Sequence, residues 1–77
     1  MVTIHRIGRL KICVYADHAP PHFHVRAPGV EARIDLASLR EIESTLPRRE
    51  LVKAIEWAMA NRNLIEAEWN ELNERED

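Results

Sequence analysis

The strand pattern of this chain is clearest in residues 22–36, which read His22-Phe23-His24-Val25-Arg26-Ala27-Pro28-Gly29-Val30-Glu31-Ala32-Arg33-Ile34-Asp35-Leu36. Apolar and polar side chains alternate along both halves of this segment, as they do in β-strands that bury one face. Pro28-Gly29 interrupts the alternation and is a typical turn dipeptide. The segment therefore predicts two antiparallel strands joined by a tight turn.

The alternation also predicts which side chains share a face of the sheet. The apolar set is expected to face the core and consists of Phe23, Val25, Val30, Ala32, Ile34 and Leu36. The polar set is expected on the opposite face and consists of His22, His24, Arg26, Glu31, Arg33 and Asp35. Antiparallel partners lie on the same face of a sheet. The predicted register therefore pairs Arg26 with Glu31, His24 with Arg33, and His22 with Asp35.

The flanking sequence extends this hairpin into a larger sheet. Two further β-rich runs lie upstream at residues 3–7 and 10–15, and Gly8-Arg9 between them suits a tight connection. Residues 39–43 fit either a helical turn or a short fifth strand. From Pro47 onward, an apolar stripe with a period of 3.6 residues and no later Pro or Gly predicts one long helix.

The predicted fold is therefore α+β: an antiparallel β-meander of four to five strands with one long C-terminal helix packed on one face. The strands are expected at about residues 3–7, 10–15, 22–26 and 30–36, with 39–43 as the open fifth strand, and the helix at about residues 47–73. Such a helix spans roughly 40 Å, whereas typical strands run about 17–20 Å. One end is expected to overhang the sheet and to offer Trp69 and Leu72 to a partner protein or a second copy.

Length and composition limit the possible functions. With 77 residues and one Cys, the chain is expected to form a single small domain, residues 1–77, without an internal disulfide or a deep cavity. No apolar run approaches the roughly 18 residues of a membrane span, so we expect a cytoplasmic protein that binds no membrane. The net charge is −2, yet residues 1–36 carry five Lys or Arg against three Asp or Glu, and all four His. A functional site is therefore expected in the N-terminal half.

Three of the four histidines fall in one segment, Asp17-His18-Ala19-Pro20-Pro21-His22-Phe23-His24-Val25. Its two prolines predict a rigid elbow before the strand. His22 and His24, two apart on one strand, would point the same way and could share a divalent metal ion such as zinc. A third ligand would come from His18, Asp17 or Asp35. The primary expectation is that no cofactor is present, and the alternative is a metal site of His18, His22 and His24.

Two other interpretations compete with a metal site. A metal-independent ribonuclease would act through His22 and His24, with Asp35 orienting His22 and with Arg26 and Arg33 holding the phosphate. In the remaining interpretation, neighbouring carboxylates and water satisfy the ring nitrogens and no ligand binds. Sequence alone leaves these three open, and with them the question whether the chain is an enzyme.

Several segments of the chain together resemble a known family. They are residues 17–25, Ala32-Arg33-Ile34-Asp35-Leu36, Leu46-Pro47-Arg48-Arg49-Glu50-Leu51 and Glu68-Trp69-Asn70. They resemble small bacterial proteins grouped as domain of unknown function family 4160, whose hallmark is an HxPPHxHV-like segment. The family motif falls on His18, Pro20, Pro21, His22, His24 and Trp69. Ala19 stands where many relatives carry a polar residue. The resemblance implies a β-meander followed by a helix, and it favours a strand at residues 39–43.

The resemblance implies a function only indirectly. Members are often encoded beside a second small protein, in pairs that are similar to toxin–antitoxin systems. The leading hypothesis is therefore a component of such a two-gene module that binds RNA or a partner protein through one face of the sheet. The residues expected to form that face are His18, His22, His24, Arg26 and Arg33. We also expect either a homo-oligomer or a complex with a small partner protein from a neighbouring gene.

Overall fold

The computed structural model describes residues 1–73 as a five-stranded sheet and two helices. The strands are β1 Val2–Ile7, β2 Leu10–Val14, β3 His22–Ala27, β4 Val30–Asp35 and β5 Glu41–Ser44, and the helices are α1 Arg48–Ala60 and α2 Arg62–Asn73. Each strand pairs antiparallel with the next, so the order in the sheet follows the order in the chain. The predicted α+β meander is confirmed, and residues 41–44 form the fifth strand.

The register of the β3–β4 hairpin agrees with the one expected from the alternation. The paired residues are His22 with Asp35, His24 with Arg33, and Arg26 with Glu31. Gly29 in the turn has φ +80°, a conformation that glycine adopts without strain. The apolar side chains on the other face of the hairpin are fully buried, and they are Phe23, Val25, Ala32 and Ile34. The polar face therefore lies opposite the helices, except at the start of β3, where His22 packs against Trp69 of α2.

A β-bulge in β1 changes which of its side chains face the core. Thr3 pairs with Cys13, but after the shift His5 pairs with Ile12, a core residue. His5 therefore lies on the helix-covered face of the sheet. Its ring stacks on Trp57 of α1, with centroids 4.4 Å apart and planes inclined by 9°. This histidine therefore lies on the other face of the sheet from His24.

The prediction of one long C-terminal helix is wrong, because the segment forms two helices that separate at Asn61. The Asn61 backbone leaves helical geometry, with φ −129° and ψ 27°. Its side-chain amide donates to the carbonyl of Trp57 at 2.9 Å, the kind of local bond by which Asn competes with regular helix. Immediately after the break, Arg62 donates to the carbonyl of Ala37 at 2.8 Å. The start of α2 is thereby tied to the loop that follows β4.

The expected overhang of the helix is also wrong. Trp69 is 6% exposed and belongs to the core, and Leu72 is partly buried against the same core. Because α2 starts anew after the break, its apolar side packs on β2 and β3. Trp69 therefore offers no free surface, and the exposure on which its predicted interface rested is absent.

The two helices are short, with 13 residues in α1 and 12 in α2. Within residues 1–73, no helix has the length and apolar character needed to cross a bilayer. The expected cytoplasmic location stays a prediction.

The β1–β2 turn is tied to the start of α1 by a bidentate ion pair. Arg9 Nε and Nη2 donate to the two carboxylate oxygens of Glu50 at 2.9 and 2.8 Å. The hydrogen bonds from Arg9 lower the pKa of the Glu50 carboxyl from its ordinary value of 4.5. A carboxyl whose pKa is lower in the folded state adds stability above its unfolded pKa. That stability is lost as the pH falls through the folded pKa.

We expect Glu50→Gln to lower the free energy of unfolding more at pH 7 than at about pH 3, because the stability that the lowered pKa of Glu50 adds is lost as the pH falls toward and through the folded pKa. Chemical denaturation at the two pH values measures both effects. The control is Glu56→Gln on the same helix, since Glu56 is exposed and forms no ion pair within residues 1–73. An equal effect of Glu50→Gln at both pH values would contradict the prediction.

Candidate metal centre

Three side chains converge where the proline elbow enters β3. They are Asp17, His22 and His24, here called the histidine cluster, and one donor atom from each lies within 4.8 Å of the other two. Pro20 and Pro21 restrict the backbone of the elbow. The Asp17 carboxylate consequently lies beside the ring of a residue five positions later. The cluster combines two imidazoles with one carboxylate.

His22 is buried, with 5% of its surface exposed. Its Nδ1 lies 2.8 Å from the carbonyl oxygen of Pro20. Because a carbonyl only accepts, Nδ1 carries the hydrogen, and the neutral ring has its lone pair on Nε2. That Nε2 lies 3.2 Å from Oδ2 of Asp17. A lone pair facing a carboxylate is repulsive unless a proton or another cation lies between the two atoms.

His24, two residues further along β3, has a similar arrangement. Its side chain is 12% exposed, and Nδ1 lies 2.9 Å from Oε2 of Glu31. Because the carboxylate accepts, Nδ1 donates, and the lone pair of the neutral ring is on Nε2. In the described part of the chain, this Nε2 is buried without a hydrogen-bond partner. The ring of Tyr15 packs edge-on against the imidazole, with centroids 4.4 Å apart.

Asp17 is held in place by hydrogen bonds on both sides. Its Oδ1 accepts the backbone N–H of His18 at 2.7 Å, and this bond is the main cause that lowers the pKa of the Asp17 carboxyl. Its own backbone N–H donates to Oδ1 of Asn73 at 2.9 Å. The Asn73 amide in turn donates to the carbonyl of Tyr15 at 3.3 Å. The end of α2 therefore fixes the elbow, and Oδ2 of Asp17 is the oxygen turned toward His22.

The donor set fits a divalent transition-metal ion. Zinc binds imidazole nitrogen and carboxylate oxygen at about 2.0–2.2 Å, so neighbouring ligands of a tetrahedral site lie roughly 3.3 Å apart. The separation of 3.2 Å between His22 and Asp17 is close to that value. Ligating histidines also donate their other N–H to a carbonyl or a carboxylate. His22 and His24 do so, to Pro20 and Glu31 respectively.

Two residues predicted for this site contribute differently from expectation. His18 bonds to Asp17 through its backbone, and within residues 1–73 the third donor of the cluster is Asp17 rather than His18. Asp35 is in register with His22 as predicted. Its Oδ2, however, accepts from the backbone N–H and the hydroxyl of Ser38 at 2.8 and 2.9 Å. Asp35 therefore serves the loop after β4, and Asp17 is the carboxylate beside the His22 ring.

The arginines predicted for phosphate binding lie on the polar face but outside the cluster. Arg26 donates to the Tyr15 hydroxyl at 2.7 Å. Arg33 lies opposite His24 and pairs with Glu43 at 3.1 Å. Tyr15, directly after β2, had no predicted role. Its contacts join Arg26 to the surroundings of His24.

The aromatic packing around the cluster was not apparent from the sequence. The rings of His22 and His24 have centroids 5.3 Å apart. Trp69 of α2 lies against His22, with centroids 5.2 Å apart. Both histidine side chains are therefore largely shielded, whereas that of Asp17 is 39% exposed. Solvent reaches the cluster from the side of the elbow.

The resemblance of the chain to a known family extends over most of its length. No curated protein and no solved structure matches the chain. The model of a domain of unknown function, DUF4160, matches residues 9–70, a range that includes the elbow, the histidine cluster and Trp69. The chain therefore belongs to the DUF4160 family.

Proposed function

We propose that this protein is a divalent-metal-binding domain whose ligands are Asp17, His22 and His24. The main support for the proposal is the hydrogen bond that each of the two imidazoles donates from Nδ1, away from the cluster. Both rings donate Nδ1–H, to Pro20 and to Glu31. Each neutral ring is thus left with an Nε2 lone pair as its free donor, and the Asp17 carboxylate lies alongside.

Electrostatics support a bound cation. One lone pair faces a carboxylate oxygen, and the other is buried with no hydrogen-bond partner in residues 1–73. An unsatisfied buried acceptor costs about 1–3 kcal/mol. A divalent cation among the three donors would turn both unfavourable features into ligand bonds.

The donor set also indicates the type of site. Two imidazoles and one carboxylate are three protein ligands, the number found in catalytic zinc sites and in facial-triad iron sites, which keep a position for water or substrate. Structural zinc sites instead close with four protein ligands. The partly exposed side of Asp17 is where the remaining position would face solvent.

Zinc, cobalt(II) and nickel(II) are the probes for this proposal. We expect at least one of them to bind with 1:1 stoichiometry by calorimetry. Free metal at a hundredfold over its dissociation constant is expected to stabilise the fold by about 2.7 kcal/mol, reversibly with chelator. Asp17→Asn keeps the size of the side chain and removes its charge, and it is expected to weaken binding more than about tenfold.

The matched control is His18→Ala, which removes an exposed imidazole next to the cluster and is expected to leave the affinity unchanged. Glu31→Gln tests the outer hydrogen bond, and loss of such a bond commonly costs about 10–100-fold in metal affinity. The proposal is overturned if none of the three ions binds, or if wild type and Asp17→Asn bind with equal affinity. Thermal unfolding without metal shows that each variant is folded.

A metal-independent ribonuclease has less support from this geometry. His22 is 5% exposed, and its Nδ1 is occupied by Pro20. A component of a two-gene module that is similar to toxin–antitoxin pairs, contacting RNA or a partner protein, stays a prediction, as does a homo-oligomer. What supports an RNA contact is the open polar face, on which Arg26 and Arg33 lie on the same side of the sheet as His24.

A further inference from the structure

Three cationic side chains lie directly opposite one another on adjacent strands. The register pairs Arg6 of β1 with Lys11 of β2, and Lys11 with Arg26 of β3. All three are exposed. Because paired residues share a face, this basic row lies on the polar face of the sheet, opposite the helices. Neighbouring strands are about 4.8 Å apart, so the three positions span roughly 10 Å.

Within residues 1–73, a carboxylate offsets the basic row only at its Arg26 end, where Glu31 lies opposite and interacts with the guanidinium. No ion pair in residues 1–73 involves Arg6 or Lys11. The next residue of the row is Glu31 on β4, opposite Arg26, and its carboxylate is engaged by Nδ1 of His24. Like charges directly opposite in a sheet are destabilising. The row therefore reduces stability in the isolated chain, as expected for side chains that serve an anionic ligand.

The surface beside the row is concave. A hollow of about 430 Å³ is lined in part by Lys11, Arg26 and the β3–β4 turn. A second hollow, of about 520 Å³, borders the same turn and is lined by two arginines and two glutamates, Arg26, Arg33, Glu31 and Glu43, so its charge is balanced. Arg26 borders both hollows. An extended polyanion lying across β1, β2 and β3 would thus meet cations along its length, with the hollow lined by Lys11 and Arg26 beside it.

We infer that the basic row Arg6–Lys11–Arg26 binds the phosphodiester backbone of a single-stranded nucleic acid. The row presents charge at regular intervals, which suits a chain of phosphates better than a single anion. The contacts are to phosphate, so binding is independent of base sequence. The residues of the row differ from those of the histidine cluster, so this inference does not depend on a bound metal.

Fluorescence anisotropy with labelled oligouridylate and oligodeoxythymidylate, in the presence of a chelator, tests the inference. Three phosphate contacts predict a slope of roughly −2 in a plot of log K against log salt concentration, since each contact on a single strand contributes about −0.7. We expect similar slopes for RNA and DNA, because the phosphodiester is common to both. If one oligonucleotide binds more tightly than the other, the result identifies whether RNA or DNA is the ligand, and the basic row is still its binding site.

Lys11→Gln is the decisive variant, and Lys53→Gln on α1 is its control of equal charge. Loss of one contact is expected to weaken binding about fivefold at 0.1 M salt and to reduce the slope to roughly −1.4. Lys53→Gln is expected to change neither. Because Lys11→Gln also relieves repulsion, its melting temperature at low salt is expected to equal or exceed that of wild type.

Three outcomes would overturn the inference. They are no binding of either oligonucleotide at low salt, equal losses in Lys11→Gln and Lys53→Gln, and a loss in Lys11→Gln that is accompanied by a lower melting temperature. The second would indicate diffuse attraction to overall charge, and the third a structural role for Lys11. Because chelator is present throughout, none of these results bears on the proposed metal centre.

Discussion

Phe23→Ala is expected to remove a large share of the stability of this protein. Phe23 is 0% exposed in β3, and truncation of a buried Phe to Ala costs about 3–5 kcal/mol through lost transfer energy and the cavity left behind. A domain of 77 residues has a total of about 4–12 kcal/mol at roughly 0.05–0.15 kcal/mol per residue. Urea denaturation followed by circular dichroism is expected to show a midpoint far below that of wild type.

The control for Phe23→Ala is Ile42→Ala in the edge strand β5. Ile42 is 46% exposed, and a surface substitution of this kind is expected to change stability by no more than about 0.5 kcal/mol. A loss of less than about 1.5 kcal/mol for Phe23→Ala would mean that the core can collapse around the deletion. That outcome would argue against the tight packing between the sheet and the helices described above.

Trp69→Ala is expected to cost about 3–5 kcal/mol as well, because Trp69 is buried between α2 and the sheet and lies against His22. How this loss of stability depends on protein concentration distinguishes a core role for Trp69 from the interface role predicted with an overhanging helix. A core residue changes the unfolding midpoint equally at all protein concentrations, whereas loss of an interface makes the change depend on concentration. Denaturation at two concentrations about a hundredfold apart distinguishes the two.

Met59→Ala provides the comparison for Trp69→Ala. Met59 is 65% exposed near the end of α1, so its truncation is expected to leave stability nearly unchanged. A wild-type midpoint for Trp69→Ala, or a destabilisation that appears only at high protein concentration, would contradict the core assignment.

The sheet was largely predictable because its information is local. In residues 22–36, strict alternation around Pro28-Gly29 defined both the faces and the register, and a shift by one residue would have exposed Phe23 and Val25. The bulge in β1 could not be foreseen in the same way. Residues 3–7 do not alternate strictly, so nothing in them signals that His5 turns toward Trp57.

The helix break and the identity of the third donor in the histidine cluster depend on long-range contacts, which the order of residues along the chain does not reveal. Asn61 is neither Pro nor Gly, and the bond from Arg62 to Ala37 joins residues 25 positions apart. Asp17 was one of three candidates for the third ligand. The path of the elbow and the hydrogen bond to Asn73, 56 positions later, place Asp17 beside the two histidines. Such long-range contacts decide between alternatives that composition and spacing leave equal.

Two of the three side-chain hydrogen bonds of Asn73 couple the last turn of α2 to the elbow. Asn73 joins the backbone of Asp17 to that of Tyr15, so fraying of this turn releases the segment that carries one donor of the cluster. Linkage is reciprocal. A ligand that requires Asp17 in place therefore slows hydrogen exchange of amides at the end of α2. A variant that lowers the population of this turn weakens ligand binding in proportion to that population.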